Sequence, residues 1–450
     1  MSEMRVIVAT GLNSGEAEYK NMGDVAMLQV AVSRLFNLWP DAHIEVLTDS
    51  ESNLAKYCPG ASPLPRPDCA CWLSDHFFSG RFQRFLPKKV VAQLNTLKRT
   101  TGFYWPSFME FAAILRLRFK DSNGVRKKYD AFVTAINDCD LVVVCGSGGF
   151  ADSCRQWNLY ILGVMAAALR RDKVVAMFGQ GIGPLADPLV LSWAKQVLPK
   201  VTLIGLRGTR GGKDLLEQTG VSPSSIVTTG DEAIELSNAI RSTDPGTAIG
   251  VNLRVASYSG VEEHTTKVVG SVLREFARQH HVGILPIPIA THDYADDRKT
   301  VQQLLAGFDN ESDGGSTLDT PQKLIEQTAR CRIVVTGAYH AAVFALAQGI
   351  PAICLSNSPY YLAKFEGLED LFDVGCTTIA LDDPQLTTKL TAAMEKAWNS
   401  VDHVRLPLLR AAATQIERGR SAYRHIRSLL DPSNILSEKY SGTETEPTRI

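Results

Sequence analysis

Three side chains in this sequence have the type and setting that chemistry on a small anion needs. His340 follows the apolar run Ile333-Val334-Val335 and the break Thr336-Gly337, and it opens an apolar helix running to Gln348, closed by Gly349 and Pro351. Ala352–Leu355 is the next apolar run. The stretch therefore reads as a strand, helix, strand crossover, with His340 at a strand's carboxyl end, where open α/β sheets bind ligands. The unpaired N–H groups of a helix start favour an anion beside it, and an imidazole exchanges a proton near neutral pH. Arg207 closes another apolar run, Thr202–Leu206, and offers paired N–H donors that suit a carboxylate or phosphate. Asp24 lies in the turn Asn21-Met22-Gly23-Asp24, between the strand Val6–Val8 and a helix with apolar Val25, Leu28, Val32 and Leu35. Gly23 permits close backbone approach, and a carboxylate at a helix start caps free N–H groups. Two of them have a plainer reading: a histidine packed against its sheet, and an aspartate that only caps its helix.

More strand exits bear on the same edge. Leu141–Val144 runs into Cys145-Gly146-Ser147-Gly148-Gly149-Phe150, a glycine-rich turn that suits a phosphate or a sugar but has neither dinucleotide-fingerprint spacing nor a P-loop lysine. Val174–Phe178 runs into Gly179-Gln180-Gly181-Ile182-Gly183-Pro184, and Ile226–Thr229 into Gly230-Asp231. One such turn is punctuation; four strand ends presenting glycines, Arg207 and Asp231 on one edge argue for a binding surface. A polar linker at Ser242–Gly246 precedes a fresh strand, Ala248–Leu253, which ends at Arg254. The fold class is thus α/β in two units, a first domain over about 1–240 and a second over about 245–400. Pro384–Trp398 and Val404–Leu430 read as two long helices, the terminal one at 401–430 crossing back to the first domain, and 431–450 as a disordered tail. His292, Asp293, Asp296 and Asp297 fit no familiar metal spacing, so no metal is expected.

The totals narrow the function. A chain of 450 residues is too long for one ordinary core, and 45% hydrophobic with 21% charged residues suits a soluble globular protein. A net charge of −1 excludes a global field that steers the chain to nucleic acid. Nine dispersed cysteines without a C-x-x-C pair, and a start that goes straight into Arg5–Ala9, point to reduced thiols and a cytoplasmic setting. The most apolar stretch, Trp157–Leu169, has 13 residues. A bilayer span needs about 20. Between Arg81 and Lys128 stand twelve Lys/Arg and two acids, Glu110 and Asp121, with interleaved aromatics such as Phe103, Tyr104 and Trp105. This reads as a basic helical insertion in the first domain, about 73–130. It suits peripheral contact with an anionic membrane or a polyanionic glycan, or else packs its aromatics on the parent domain.

In their order, these motifs resemble the polysaccharide pyruvyl transferase family. The matching pieces are Asn21-Met-Gly-Asp24, the glycine turn at Gly146–Gly149, Gly179-Gln-Gly-Ile-Gly-Pro184, Arg207, Asp231, the His340 unit, and Tyr361-Leu-Ala-Lys364-Phe-Glu-Gly367. They cover residues 5–372 apart from the insertion. Two departures stand out: Ala338 where the family often has arginine, and Ser147 in the usual all-glycine turn. The resemblance implies two Rossmann-like domains facing across a cleft, as in GT-B glycosyltransferases. It also implies transfer from phosphoenolpyruvate to a glycan or sugar-linked acceptor, giving a pyruvate ketal with no cofactor beyond the donor. Arg207, Arg254 and Lys364 would then supply cations, and His340 and Asp24 would move protons. Asn21, Gly23, Gly148, Gly149, Gln180, Gly181, Asp231 and Tyr361 would complete the binding surface. A GT-B glycosyltransferase or sugar-nucleotide epimerase is the nearest rival, and a catalytically silent glycan-binding protein is a third reading.

Overall fold

The computed structural model describes residues 3–11, 18–67, 87, 89–90, 93, 124–208, 210–254, 263–292, 295–308 and 312–431. The insertion expected at about 73–130 lies outside them except for 87, 89–90, 93 and 124–130, and the tail lies outside them beyond 431.

A first sheet takes β1 (Arg5–Ala9), β2 (His43–Leu47), β3 (Ser62–Leu64), β4 (Leu141–Val144), β5 (Ser147–Phe150), β6 (Val174–Ile182), β7 (Leu203–Leu206) and β8 (Ile226–Thr228). Its order is 3-2-1-4-6-7-8, with β5 added on β6, and its pairings are parallel. A second parallel sheet takes β9 (Ala248–Asn252) and β10 (Ile284–Pro286). After the short antiparallel pair β11 (Thr291–His292) and β12 (Ala295–Asp296), it adds β13 (Cys331–Thr336), β14 (Ala352–Ser356) and β15 (Cys376–Ala380), in the order 10-9-13-14-15. Both are covered on both faces, which is why β4 and β14 are buried along their whole length.

The α-helices among the described residues are α1 (Met22–Leu38), α2 (Glu51–Tyr57), α3 (Val125–Asp138), α4 (Arg155–Leu169), α5 (Pro188–Val197), α6 (Gly212–Gln218), α7 (Ala233–Ile240), α8 (Glu263–His280), α9 (Asp297–Leu305), α10 (Pro321–Ala329), α11 (Tyr339–Ala347), α12 (Pro359–Phe372) and α13 (Leu386–Leu430). One apolar layer is shared by the two units: Val25 and Ala233 pack in it with Val334, Phe344 and Leu408. Separate layers cover the outer faces, around Val142 and Leu162 on the first sheet and Val335 and Leu273 on the second.

Strand order reverses between β1 and β4 in the first sheet and between β9 and β13 in the second. The carboxyl ends beside such reversals form the crevices of open sheets. Here the two crevices meet, because Met22 N–H donates to the Ile289 carbonyl at 2.9 Å and Thr291 N–H to the Lys20 carbonyl at 2.9 Å.

Two expected elements differ. The glycine turn at 145–150 contains β5, because β6 runs on to Ile182, past its pairing with β4, and leaves an edge that Ser147 and Phe150 join. The two expected C-terminal helices are one helix, α13, of 45 residues with Pro407 inside it. Pro407 and His403, whose carbonyl loses its donor, are both exposed, while Val401, Leu408 and Ala412 anchor the buried side across the junction. The helix crosses back to the first unit, where Tyr423 stacks on Phe178 with ring centroids 3.8 Å apart. Tyr423 also donates to Glu232 at 2.6 Å, and Glu232 accepts the Gly146 N–H at 3.1 Å, so the helix braces the glycine turn.

Candidate functional site

A cleft of about 510 Å³ lies where the crevices meet. Asn21, Asp24, Gly148, Gly149 and Arg207 line it from the first unit, and Arg254, His340, Tyr361 and Lys364 from the second.

His340 is set by the exit of β13. Thr336 Oγ1 accepts the Ala338 N–H at 2.8 Å, which turns the chain into α11 and leaves His340 in its first turn, 7% exposed. The first turn of α1 lies flat against the imidazole: a Cβ on Gly23 would stand 2.0 Å from its Cγ and Nδ1, so only glycine fits. Asn21, not Asp24, is the N-cap, its Oδ1 accepting the Gly23 N–H at 3.1 Å. That leaves the Asp24 carboxyl to the cleft. Burial raises its pKa, against the opposing pull of His340, Arg207 and Lys364.

Asp231 joins the two walls. Its Oδ2 lies 3.4 Å from Arg207 Nη1 and 3.6 Å from His340 Nε2, while Oδ1 accepts the Ala233 N–H at 2.9 Å. Burial pushes the Asp231 pKa up, but His340, Arg207 and that N–H outweigh it and the carboxyl titrates below its ordinary range. Arg207 from the first unit and His340 from the second both face this carboxylate. The Arg207 guanidinium lies 4.2 Å from the Tyr339 ring centroid. Cβ atoms on Gly148 and Gly181 would come within 2.5 and 2.7 Å of it, so these glycines make its channel. Arg207 Nη2 and His340 Nε2 are both buried and make no hydrogen bond. An orphaned donor such as Arg207 Nη2 costs about 1–3 kcal/mol, a cost an incoming acceptor removes.

Lys364, from α12, lies 3.7 Å from the Tyr360 ring centroid and donates to Tyr360 Oη, which in turn donates to the Gly148 carbonyl. Burial, then repulsion from Arg207, pushes its pKa well down. Rings and the Arg207 cation pack around it, and the Asp24 carboxyl acts on it in the opposite sense.

The other expected residues take different places. Arg254 reaches the cleft with much of its guanidinium occupied: Nε and Nη2 donate to Asp297 at 3.0 and 2.8 Å, and Nη1 meets Tyr361 Oη at 3.4 Å. Gln180 is fully buried, and its Nε2 donates to the carbonyls of Val144, Cys145 and Phe178, so it fastens two strand exits together. Gly149 gives way to Trp157, whose ring a Cβ would approach to 3.1 Å. Among the described residues no metal-ligating cluster forms; Asp293 lies outside them, Asp296 caps α9, and Asp297 holds Arg254.

Tyr339, Tyr360 and Trp157 escaped the sequence reading, and Asp297 entered it only as a candidate metal ligand, not as the partner of Arg254. Tyr339 and Tyr360 begin the helices after β13 and β14, so the carboxyl-edge rule that found His340 also points to them. Asp297 had no such signal, because its partner lies 43 residues away.

The sequence model of the polysaccharide pyruvyl transferase family matches residues 21–359. The chain belongs to that family and is therefore a transferase. No curated protein matches it. Among solved structures it is similar to the UDP-GlcNAc 2-epimerase of Methanocaldococcus jannaschii, at 12% identity and TM-score 0.53 over 95% of this chain and 99% of that one. It is also similar to the UDP-GlcNAc 2-epimerase of Neisseria meningitidis, bound to UDP-GlcNAc, at 11% identity and TM-score 0.52 over 92% and 99%. At such identity the likeness concerns the fold, two Rossmann-like units facing across a cleft in the GT-B manner. No helix among the described residues is long and apolar enough to cross a membrane.

Proposed function

We propose that the protein transfers the enolpyruvyl-derived group of phosphoenolpyruvate to a sugar of a polysaccharide or its precursor, releasing inorganic phosphate and leaving a cyclic pyruvate ketal. One observation carries this reading: the buried Arg207 Nη2, which makes no hydrogen bond, stands at a cleft whose further cation, Lys364, is packed against rings and repelled by Arg207. A small, multiply charged anion relieves both strains at once.

The donor's methylene carbon takes a proton, and an acceptor oxygen bonds to the neighbouring carbon as its own proton passes to a base. The bond from that carbon to the phosphate oxygen breaks with its electron pair going to phosphate, and a second acceptor hydroxyl closes the ring. Of the two hydroxyl protons, one ends on the new methyl group and one on phosphate. No cofactor beyond the donor is needed. Asp24 acts as the acid and His340 as the base, with Asp231 stabilising the imidazolium.

Incubation with phosphoenolpyruvate and candidate sugars should release inorganic phosphate, and incubation with UDP-sugars should release no UDP. UDP release or sugar epimerisation without phosphate release would replace this reading with the glycosyltransferase or epimerase one. A second expectation concerns pH. Because the Asp24 pKa is raised, its acid form persists above the ordinary carboxyl range and is lost as pH rises through that raised value. Turnover should therefore fall through that window, and Asp24→Asn should abolish that limb of the profile. A pH profile that Asp24→Asn leaves unchanged assigns the acid elsewhere.

A further inference from the structure

Beside the cleft lies a second, smaller cavity of about 70 Å³ that the steps above leave unused. Arg207, Tyr339, Tyr360 and Lys364 line both cavities and so form the partition between them. The far wall is largely glycine, with Gly181 and Gly183 at the end of β6 and Gly208 after β7. From α12 come Tyr360, Ala363, Lys364 and Gly367, which share one helix face at i, i+3, i+4 and i+7. Arg210 stands at the rim, tied to Glu366 at 2.6 Å and to Asp370, which joins the first unit to α12 there.

We infer that this side cavity is the subsite for the donor's phosphoryl group and holds inorganic phosphate once the carbon–oxygen bond has broken. The inference rests on the phosphoenolpyruvate reading. Two separate observations point to it. First, the orphaned Arg207 Nη2 stands between the two cavities, 2.8 Å from where a Cβ on Gly181 of the side cavity's wall would lie and 2.5 Å from where one on Gly148 of the cleft would lie, so it is within reach of a ligand in the side cavity. Second, Gly367 sits inside α12, where glycine is a poor helix former, yet close packing does not demand it: a Cβ there would meet nothing within 4 Å. The same holds for Gly208. What these two glycines provide is open volume beside three basic side chains.

The cavity's size and charge agree with that ligand. Its volume is several times the roughly 10–15 Å³ that one water needs by this measure. With phosphate seated there, the bond to be broken crosses the partition between Arg207 and Lys364. The donor's carbon skeleton then faces the larger cleft, with Asp24 and His340. Acceptor and leaving group occupy different cavities, so phosphate departs from the side away from the sugar.

The test plugs the cavity and titrates inorganic phosphate. Gly367→Leu and, as an independent second plug, Gly208→Leu place side chains in space that is open in the parent. Calorimetric titration should show phosphate binding to the parent weakened by about 10-fold or more in both variants, with phosphate becoming a correspondingly poorer product inhibitor against phosphoenolpyruvate. The acceptor KM should be unchanged. Folded variants that bind phosphate like the parent overturn the subsite, even if phosphoenolpyruvate turns over normally. Failure of the donor reading shows itself differently, as a parent that releases no phosphate from phosphoenolpyruvate.

Discussion

His340→Ala is expected to lower turnover about 100-fold or more, the usual scale for losing a general acid or base. The imidazole is held on three sides. α11 carries it, Gly23 lies flat against its Cγ and Nδ1, and Asp231 stands 3.6 Å from Nε2. This support fits a group that must take up a proton in place, since the Asp231 carboxylate offsets the charge it gains. Packing alone is the competing explanation. Removing a buried ring also destabilises, so thermal melting of the variant must accompany its kinetics. Gly23→Ala separates the two further: its Cβ collides with the imidazole, so the ring must shift while remaining present. A mispositioned base predicts that Gly23→Ala also loses most of its turnover. If folded His340→Ala turns over like the parent, the histidine is a packing residue and the mechanism fails.

How far the sequence could be read follows from what each feature depends on. The parallel sheets announced themselves as short apolar runs punctuated by glycine, because a strand buried on both faces has no polar positions to show. His340, Arg207 and Arg254 were found as strand exits, a property of local order along the chain. What the side chains do at those exits was not local. Gln180 looked like a cleft residue in a glycine-rich turn, but its neighbours in space are the Val144 and Cys145 carbonyls, which it ties down. Arg254 looked like a free cation, and Asp297 occupies two of its nitrogens. Gly23, Gly148 and Gly181 were read as places where backbone meets ligand; the structure uses them to admit the His340 ring and the Arg207 head. In each case the missing information was the partner brought by the other unit or by a neighbouring strand. The long helix was missed for the opposite reason. Pro407 is a strong local stop signal, and the buried Val401, Leu408 and Ala412 around it outweigh that signal only once there is a surface to pack on.

Arg207→Lys is expected to raise the donor KM on the order of 10- to 100-fold while changing kcat much less, the range that loss of a charge-assisted hydrogen bond produces. The guanidinium performs three tasks at once. Nη1 faces Asp231 at 3.4 Å, the plane lies 4.2 Å from the Tyr339 ring centroid, and Nη2 remains buried and unpartnered. A lysine retains the positive charge that the buried Asp231 requires, which protects the fold from an uncompensated carboxylate. With one nitrogen on a flexible stem, however, it cannot face Asp231 and also present a fixed donor to a ligand. The loss therefore falls on the interaction that Nη2 makes with an incoming anion, in the ground state as well as the transition state. Arg207→Gln is the contrasting variant, since it removes the guanidinium that faces the buried Asp231 carboxylate and should lower the melting temperature as well. An Arg207→Lys protein with a parental donor KM would show that Nη2 contacts no donor and would remove the arginine from the anion site.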